Sequence, residues 1–240
     1  MLRTIFFDAA GTLIEPRIRV GESYARVARK HGVITTGAAV GAAFRKVFHE
    51  SSGLAFGPGH PAPELRRMER SWWREIVLKS FAEIGSFDDF DSYFDELFAY
   101  FADPANWVAD DGAVKLVDQL KQSGYQLGIV SNFDYRLYGI MEGLGLSRYF
   151  ASTTISSEAG WAKPDPRIFT AALAQHKTAP NEALHVGDSA HLDVVGAHAA
   201  GIAAVLIDPE ATVPVAINGQ TTTIKSLPMV LEAVNQLSFA

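Results

Sequence analysis

The sequence predicts an α/β fold: a Rossmann-like, doubly wound parallel sheet, interrupted after its first strand by a four-helix insert. Three observations carry this expectation. The apolar run "TIFF" at residues 4–7 ends on Asp8 and a Gly-containing loop, as a short buried strand does. From about residue 108, apolar runs of strand length alternate with helical patterns, the rhythm of a parallel sheet with helical crossovers. Between these two parts lie four stretches of helical spacing with no strand pattern among them.

The insert begins with "GESYARVARKHGV", which sets Tyr24, Val27, Ala28 and His31 on one helical face. "GAAVGAAFRKVFHE" does the same with Val40, Phe44, Val47 and Phe48. A third helix runs through Leu65, Met68, Trp72, Ile76 and Phe81, and a fourth through Phe90, Phe94, Leu97 and Phe101. The Gly/Pro-rich stretch "SSGLAFGPGHPAP" separates the second from the third. In the second half, "DDGAVKLVDQLKQSG" reads as a helix closed by Gly124, "YQLGIVSN" as a buried strand ending at Ser131, "YRLYGIMEGLG" as a helix and "STTISS" as a strand. Helix "DPRIFTAALAQH", strand "EALHVGD" ending at Asp188, helix "HLDVVGAHAAG" and strand "IAAVLID" continue the alternation, and "TTTIKSLPMVLEAVNQL" closes it with a short strand and a helix. The expected organisation is a core of residues 1–15 and 106–240 with residues 16–105 inserted.

Composition narrows the function classes. A chain of 240 residues holds one core domain with an insert, and 48% apolar with 20% charged residues is globular, not disordered or fibrous. Asp and Glu total 27 against 21 Lys and Arg, a net charge of −6, with no basic run, so nucleic acid is not an expected partner. The absence of cysteine excludes disulfides, thiolate metal sites and a cysteine nucleophile. The N-terminal apolar run is too short for a secretory segment, and no stretch approaches the ~20 apolar residues that span a bilayer. The expectation is a soluble, cytoplasmic protein with a small-molecule partner; the sequence does not give its oligomeric state.

In an open parallel sheet, ligands bind beyond the carboxyl ends of the strands. Those ends carry Asp8 with Thr12, Ser131 with Asn132, and Asp188 with Asp193, and Lys163 lies in the loop "EAGWAKPDP". A single strand-end aspartate is most often a helix cap; four such clusters in order are not explained that way. The stretches "FFDAAGTL", "VSNFD", "KPDPRIF" and "VGDSAHLD" resemble the four motifs of the haloacid dehalogenase-like (HAD) hydrolase superfamily, across residues 3 to about 207. "SNFDYRL" and "EAGWAKPDPRIF" are similar to its phosphatase-like subgroup, and the helical insert falls where that family carries its cap.

The resemblance implies a catalytic set of Asp8, Ser131 and Lys163, and a Mg²⁺ held by Asp8, Asp188 and the backbone carbonyl of Ala10, with Asp193 supporting the metal or orienting Lys163. The residue types suit that chemistry. A carboxylate can attack phosphorus and form an aspartyl-phosphate, dividing a difficult hydrolysis into two steps. A hard divalent cation offsets the repulsion between that carboxylate and a phosphate dianion. Lys163 adds positive charge at the transferring group, Ser131 donates to a phosphoryl oxygen beside the Gly11 and Asn132 amides, and Thr12 braces the first loop.

Ala10 departs from the family's phosphatase pattern, which places an aspartate there to protonate the leaving group and then deprotonate water. A methyl group does neither, and general acid–base help is worth roughly 10²–10⁴-fold. Three readings follow for a small phosphorylated or phosphonate ligand. The chain hydrolyses a phosphate whose leaving group needs no proton or finds its acid elsewhere. Alternatively it is similar to phosphonoacetaldehyde hydrolases, which also carry alanine here and use a cap lysine, with Lys46 the candidate. Or it is a weak enzyme that binds a phosphorylated ligand. A dehalogenase proper fits less well, because that branch does not keep both acids of "GDSAHLD". His185 is expected to be packed, His49, His60 and His191 to be exposed, at most one of Trp72 and Trp73 to face the crevice, and Arg17 and Arg19 to lie at the cap hinge.

Overall fold

The computed structural model describes residues 1–211 and 221–238, so parts of the expected C-terminal core segment, 212–220 and 239–240, lie outside the described residues. Its centre is strand β1 (Thr4–Phe7), all four residues of which are buried. Ile5 and Phe7 join Leu127, Ile129, Leu184 and Val186 in one core, whereas Phe6 points the other way into a second core with Val130, Ile168 and Phe169. Apolar residues on both sides of one strand are what a parallel sheet covered on both faces requires.

Six parallel strands form that sheet in the order β5–β4–β1–β6–β7–β8. These are β4 (Gln126–Ser131), β5 (Ser152–Ile155), β6 (Ala183–Gly187), β7 (Ala203–Ile207) and β8 (Thr221–Ile224) around β1. The chain builds outward from β1 through β4 to β5, then returns to the other side of β1 as β6. The order therefore reverses between β1 and β6, and a crevice opens at their carboxyl ends. Helices α5 (Ala113–Gln122), α6 (Arg136–Gly143), α7 (Ser156–Ala159), α8 (Pro166–His176), α9 (Gly196–Ala199) and α10 (Val230–Ser238) complete this part. The fold is thus the Rossmann-like α/β class that the alternation predicts.

Four α-helices lie between residues 16 and 104: α1 (Val20–Lys30), α2 (Gly37–Glu50), α3 (Ala62–Phe81) and α4 (Phe90–Ala102). They bury their own core of Tyr24, Val27, Val40, Val77, Phe81, Tyr93 and Phe94, as helical spacing predicts. A two-stranded antiparallel ribbon that the sequence reading lacks carries the chain out and back. In it β2 (Ile14–Pro16) pairs with β3 (Trp107–Ala109), Ile14 opposite Ala109 and Pro16 opposite Trp107. Each strand has three residues, too few for a period-2 signal. Arg17 closes the ribbon: its Nε donates to the Ala105 carbonyl at 3.1 Å, so its polar end serves the hinge. Among the described residues no helix is long and apolar enough to cross a membrane.

Helices α1 and α2 meet at glycines. A Cβ on Gly21 would lie 2.2 Å from the Gly37 carbonyl oxygen and 2.8 Å from Gly41 Cα, backbone atoms that cannot turn aside. Gly21→Ala is expected to destabilise the protein by about 1–3 kcal/mol, the usual cost of overpacking, measurable by urea unfolding. A variant as stable as the parent would show that the two helices separate freely.

The inserted helices also contribute a buried acid to their contact with the core. Glu69 of α3 is fully buried, and neither carboxyl oxygen nor the neighbouring Ser157 hydroxyl has a well-formed hydrogen bond. Burial raises Glu69 above the usual carboxylate range; Ser157 opposes the rise and the Asp134 carboxylate adds to it. A raised acid contributes stability that is complete below its unfolded value of about 4.3 and is lost as pH rises through its folded value. Glu69→Gln should therefore raise the melting temperature at pH 8 by roughly 2–4 °C, about 1 kcal/mol for a chain of this size, with the gain vanishing near pH 4. Calorimetry at the two pH values checks the sign.

Candidate active site

Four chain segments converge at the β1/β6 crevice. Asp8 follows β1, and its Oδ1 stands 2.8 Å from Lys163 Nζ. Lys163 Nζ also donates to Asp193 Oδ1 at 2.6 Å. Both partners of this lysine are buried, as is the lysine itself. Burial alone would lower Lys163, but Asp8 and Asp193 more than offset it and hold the ammonium above the ordinary lysine range. Asp193 is the mirror case: burial pushes it up, while the Lys163 charge and the His185 hydrogen bond hold it well below the usual carboxylate range.

Lys163 is positioned by its own backbone. Its N–H donates to Asn132 Oδ1 at 2.7 Å, and its carbonyl accepts from Asn132 Nδ2 at 2.9 Å. The Asn132 side chain thus clamps the lysine loop to the end of β4. Ser131 is buried at that same strand end and lines the crevice, and its hydroxyl has no hydrogen-bond partner among the described residues. Gly11 adopts a φ of +94°, and a Cβ there would fall 2.6 Å from Asp188 Oδ2. The loop therefore needs glycine to bring Asp188 against it. Thr12 braces the same contact from 3.4 Å, Oγ1 to Asp188 Oδ1.

The loop after β1 is held by Leu13 and Ile14 N–H groups donating to the Ala9 carbonyl at 2.8 and 3.0 Å and by Gly11 N–H donating to the Ile14 carbonyl at 3.0 Å. None of these bonds uses the Ala10 carbonyl. Oxygens of Asp8, Asp188 and Asp193 lie within 4.8 Å of one another. Asp193 already accepts three hydrogen bonds: Oδ1 from Lys163 and from His185 Nε2 at 2.8 Å, and Oδ2 from the Ser189 N–H at 2.9 Å. Asp188 sits at the exposed lip, and partial burial with the carboxylates of Asp8 and Asp193 pushes it up to about 6. Three carboxylates thus share one ammonium. That charge excess, in hard oxygen donors, is what a divalent cation such as Mg²⁺ relieves, and Asp8, Asp188 and the Ala10 carbonyl are the donors left for it.

Other expectations resolve less evenly. His185 is packed, but as a hydrogen-bond partner of Asp193, a role that the burial pattern of its strand does not announce. His49 and His191 line the crevice, whereas His60 turns to the Phe56 carbonyl. Trp72 and Trp73 both face the crevice, correcting the expectation of one. They can because they stand edge to face, 4.8 Å apart, with Trp72 Nε1 tied to Ser52 and Trp73 Nε1 tied to Asp134. Lys46 is exposed on α2 and lines neither of the two cavities at the cap–core junction.

Fold and site together define a Rossmann-like core with a four-helix insert and an acidic, lysine-buttressed centre at its switch point. Residues 2–201 match the family model for haloacid dehalogenase-like hydrolases, and the chain belongs to that family. It is 37% identical over 210 residues to haloacid dehalogenase-like hydrolase domain-containing protein 3 of Mus musculus, across 86% of this chain and 82% of that one. Its fold is similar to L-2-haloacid dehalogenase from Xanthobacter autotrophicus, with a TM-score of 0.73 at 17% identity over 98% of this chain and 99% of that one. It is also similar to a magnesium-bound HAD hydrolase, YfnB, from Bacillus subtilis, with a TM-score of 0.71 at 19% identity over 98% and 99%.

The Lys163–Asp193–His185 cluster should be structural as well as chemical. Asp193→Ala leaves a buried ammonium with one partner fewer and is expected to cost about 3–5 kcal/mol. Urea unfolding measures this, and a loss below about 1 kcal/mol would mean that the cluster is solvated.

Proposed function

We propose that the protein is a Mg²⁺-dependent phosphohydrolase acting through an aspartyl-phosphate on Asp8, with a leaving group that departs without a proton from position 10. The observation that carries this reading is the pairing of the buried Asp8 with Lys163 beside an Asp188 that forms no ion pair among the described residues. The retained acids Asp188 and Asp193 favour phosphorus chemistry over the metal-free dehalogenase branch. The magnesium in the Bacillus subtilis relative supports the same choice.

In this mechanism Asp8, Asp188 and the Ala10 carbonyl would hold Mg²⁺, which when bound would supply positive charge against the phosphoryl oxygens. Lys163 fixes the Asp8 carboxylate in direction through their 2.8 Å ion pair, and adds a second positive charge. Ser131 donates to a phosphoryl oxygen with its free hydroxyl. An Asp8 oxygen forms the bond to phosphorus as the bond to the leaving oxygen breaks, and that oxygen takes the electron pair. Water then releases phosphate and restores the Asp8 carboxylate. The cap, inserted as residues 16–105 between the core segments, excludes bulk water from the crevice. The Schiff-base alternative gains no support from Lys46, which stands exposed outside the crevice.

The test is turnover of acetyl phosphate with Mg²⁺. Asp8→Asn should abolish it, and EDTA should do so reversibly. Ala10→Asp, placed where space adjoins the crevice, should raise hydrolysis of alkyl phosphates by roughly 10²-fold, the low end of general acid catalysis. Turnover that persists in Asp8→Asn would overturn the mechanism. A folded Ala10→Asp with no gain would show that position 10 does not reach the leaving oxygen.

A further inference from the structure

A second cavity of about 310 Å³ lies between the inserted helices and the core and borders Ala10. It shares the walls Ala10, Phe48, Trp73 and Asn132 with the crevice of about 550 Å³ that contains Asp8 and Lys163. From those shared walls it extends between Tyr24, Phe44, Val77 and Phe98 into the helical bundle. Resting on the proposed phosphohydrolase reading, we infer that this cavity receives the leaving group, and that the substrate class is an aryl phosphate: a phosphate on a phenolic oxygen carried by an aromatic body.

Shape and polarity point to an apolar occupant. Well-packed interiors contain few voids larger than a water molecule, and an apolar cavity of about 150 Å³ already takes benzene. A space about twice that size accommodates a fused two-ring system. The charged residue on its wall is Arg136, whose charge is already committed. Arg136 Nε and Nη2 form a fork on Asp134 at 2.8 and 2.6 Å, and its guanidinium lies 3.9 Å from the Phe98 ring centre. Asp134 in turn accepts from Trp73 Nε1 at 2.6 Å, which fixes that wall. The wall therefore presents ring faces and edges, the partners an aromatic ring stacks against.

Chemistry at position 10 points to the same class independently. A methyl there gives the departing oxygen no proton, so the oxygen must be a weak base. A phenol ionises near ~10, whereas an alkoxide is nearer the ~15.7 of bulk water. An aryl phosphate thus satisfies both constraints. Asp8 bonds to phosphorus, the phosphorus–aryl oxygen bond breaks, and the phenolate carries away the electron pair into the space beyond Ala10 and takes a proton from solvent on release. An aspartate at position 10 would place a carboxylate at the entrance to this apolar space.

The experiment compares kcat/KM for 1-naphthyl phosphate, phenyl phosphate, glycerol 3-phosphate and acetyl phosphate in the full chain, and the affinity of 1-naphthylmethylphosphonate by calorimetry. The expected result is a preference for naphthyl over glyceryl of about 10²-fold or more. Val20→Phe, which fills the cavity from α1, should lower the naphthyl-to-acetyl ratio and weaken phosphonate binding by about 10-fold each. Phe44→Leu makes the opposite change and should raise activity on biphenyl-4-yl phosphate relative to phenyl phosphate, so the idea remains testable if Val20→Phe does not fold. Acetyl phosphate turnover with no naphthyl preference and no shift in either variant overturns the inference while leaving the hydrolase reading intact. If no phosphate is turned over, phosphonate binding that Val20→Phe weakens supports the pocket without the reaction, and absent binding overturns it.

Discussion

One buried ammonium organises this molecule. Lys163 contacts Asp8 from the end of β1 and Asp193 from the turn after β6, and its own loop is pinned to the end of β4 by Asn132. Removing such a charge from water is costly, and the cost is offset only when the partners are in place and well oriented. The ion cluster therefore couples the placement of separate strand ends: none can drift without leaving a charge buried and unmatched. His185 and the Ser189 N–H hold Asp193 in place with two further hydrogen bonds. What stays unsaturated is Asp188 and the free side of Asp8, and both face the crevice.

Much of this was legible because the sequence marks strand ends clearly. The runs before Asp8, Ser131 and Asp188 are apolar and short, and parallel-sheet topology then dictates that their ends share an edge. Thr12, Gly11 and Lys163 followed from the same loops. What the sequence did not reveal depends on pairings between distant residues. The β2–β3 ribbon is a three-residue register between positions far apart in the chain. His185 acquires meaning only when Asp193 folds back over its strand. Glu69 looks like one more polar position on an amphipathic helix, and becomes a buried acid only when α3 meets Ser157. Trp72 and Trp73 defeated the one-face rule because neighbouring indoles in an edge-to-face pair can border the same space.

The cap and the core are joined by more than the ribbon. The loop between α2 and α3 reaches across to the core, where the Gly57 N–H donates to the Gly160 carbonyl at 3.2 Å and Ser156 Oγ donates to the Leu54 carbonyl at 2.6 Å. Gly160 closes α7, three residues before Lys163, so the loop that shapes the crevice rests on the segment that delivers the lysine. The same loop is tied to the cap through Trp72 and Ser52. A change in cap position would therefore be felt at the lysine loop and at the aromatic wall together.

The two halves contribute opposite physics to a shared boundary. The core side of the crevice concentrates carboxylates, an ammonium and a free hydroxyl; the cap side offers aromatic rings with a guanidinium whose charge is already paired. Ala10 stands where the two meet and lines both cavities. An acidic side chain at that point would extend the polar centre into the cap and need a partner that the rings do not provide. The methyl keeps the boundary sharp, so a ligand that spans it must itself be divided, anionic at one end and apolar at the other. The missing acid and the neighbouring cavity then meet at one residue, since the side chain that withholds the proton belongs to a residue bordering both spaces.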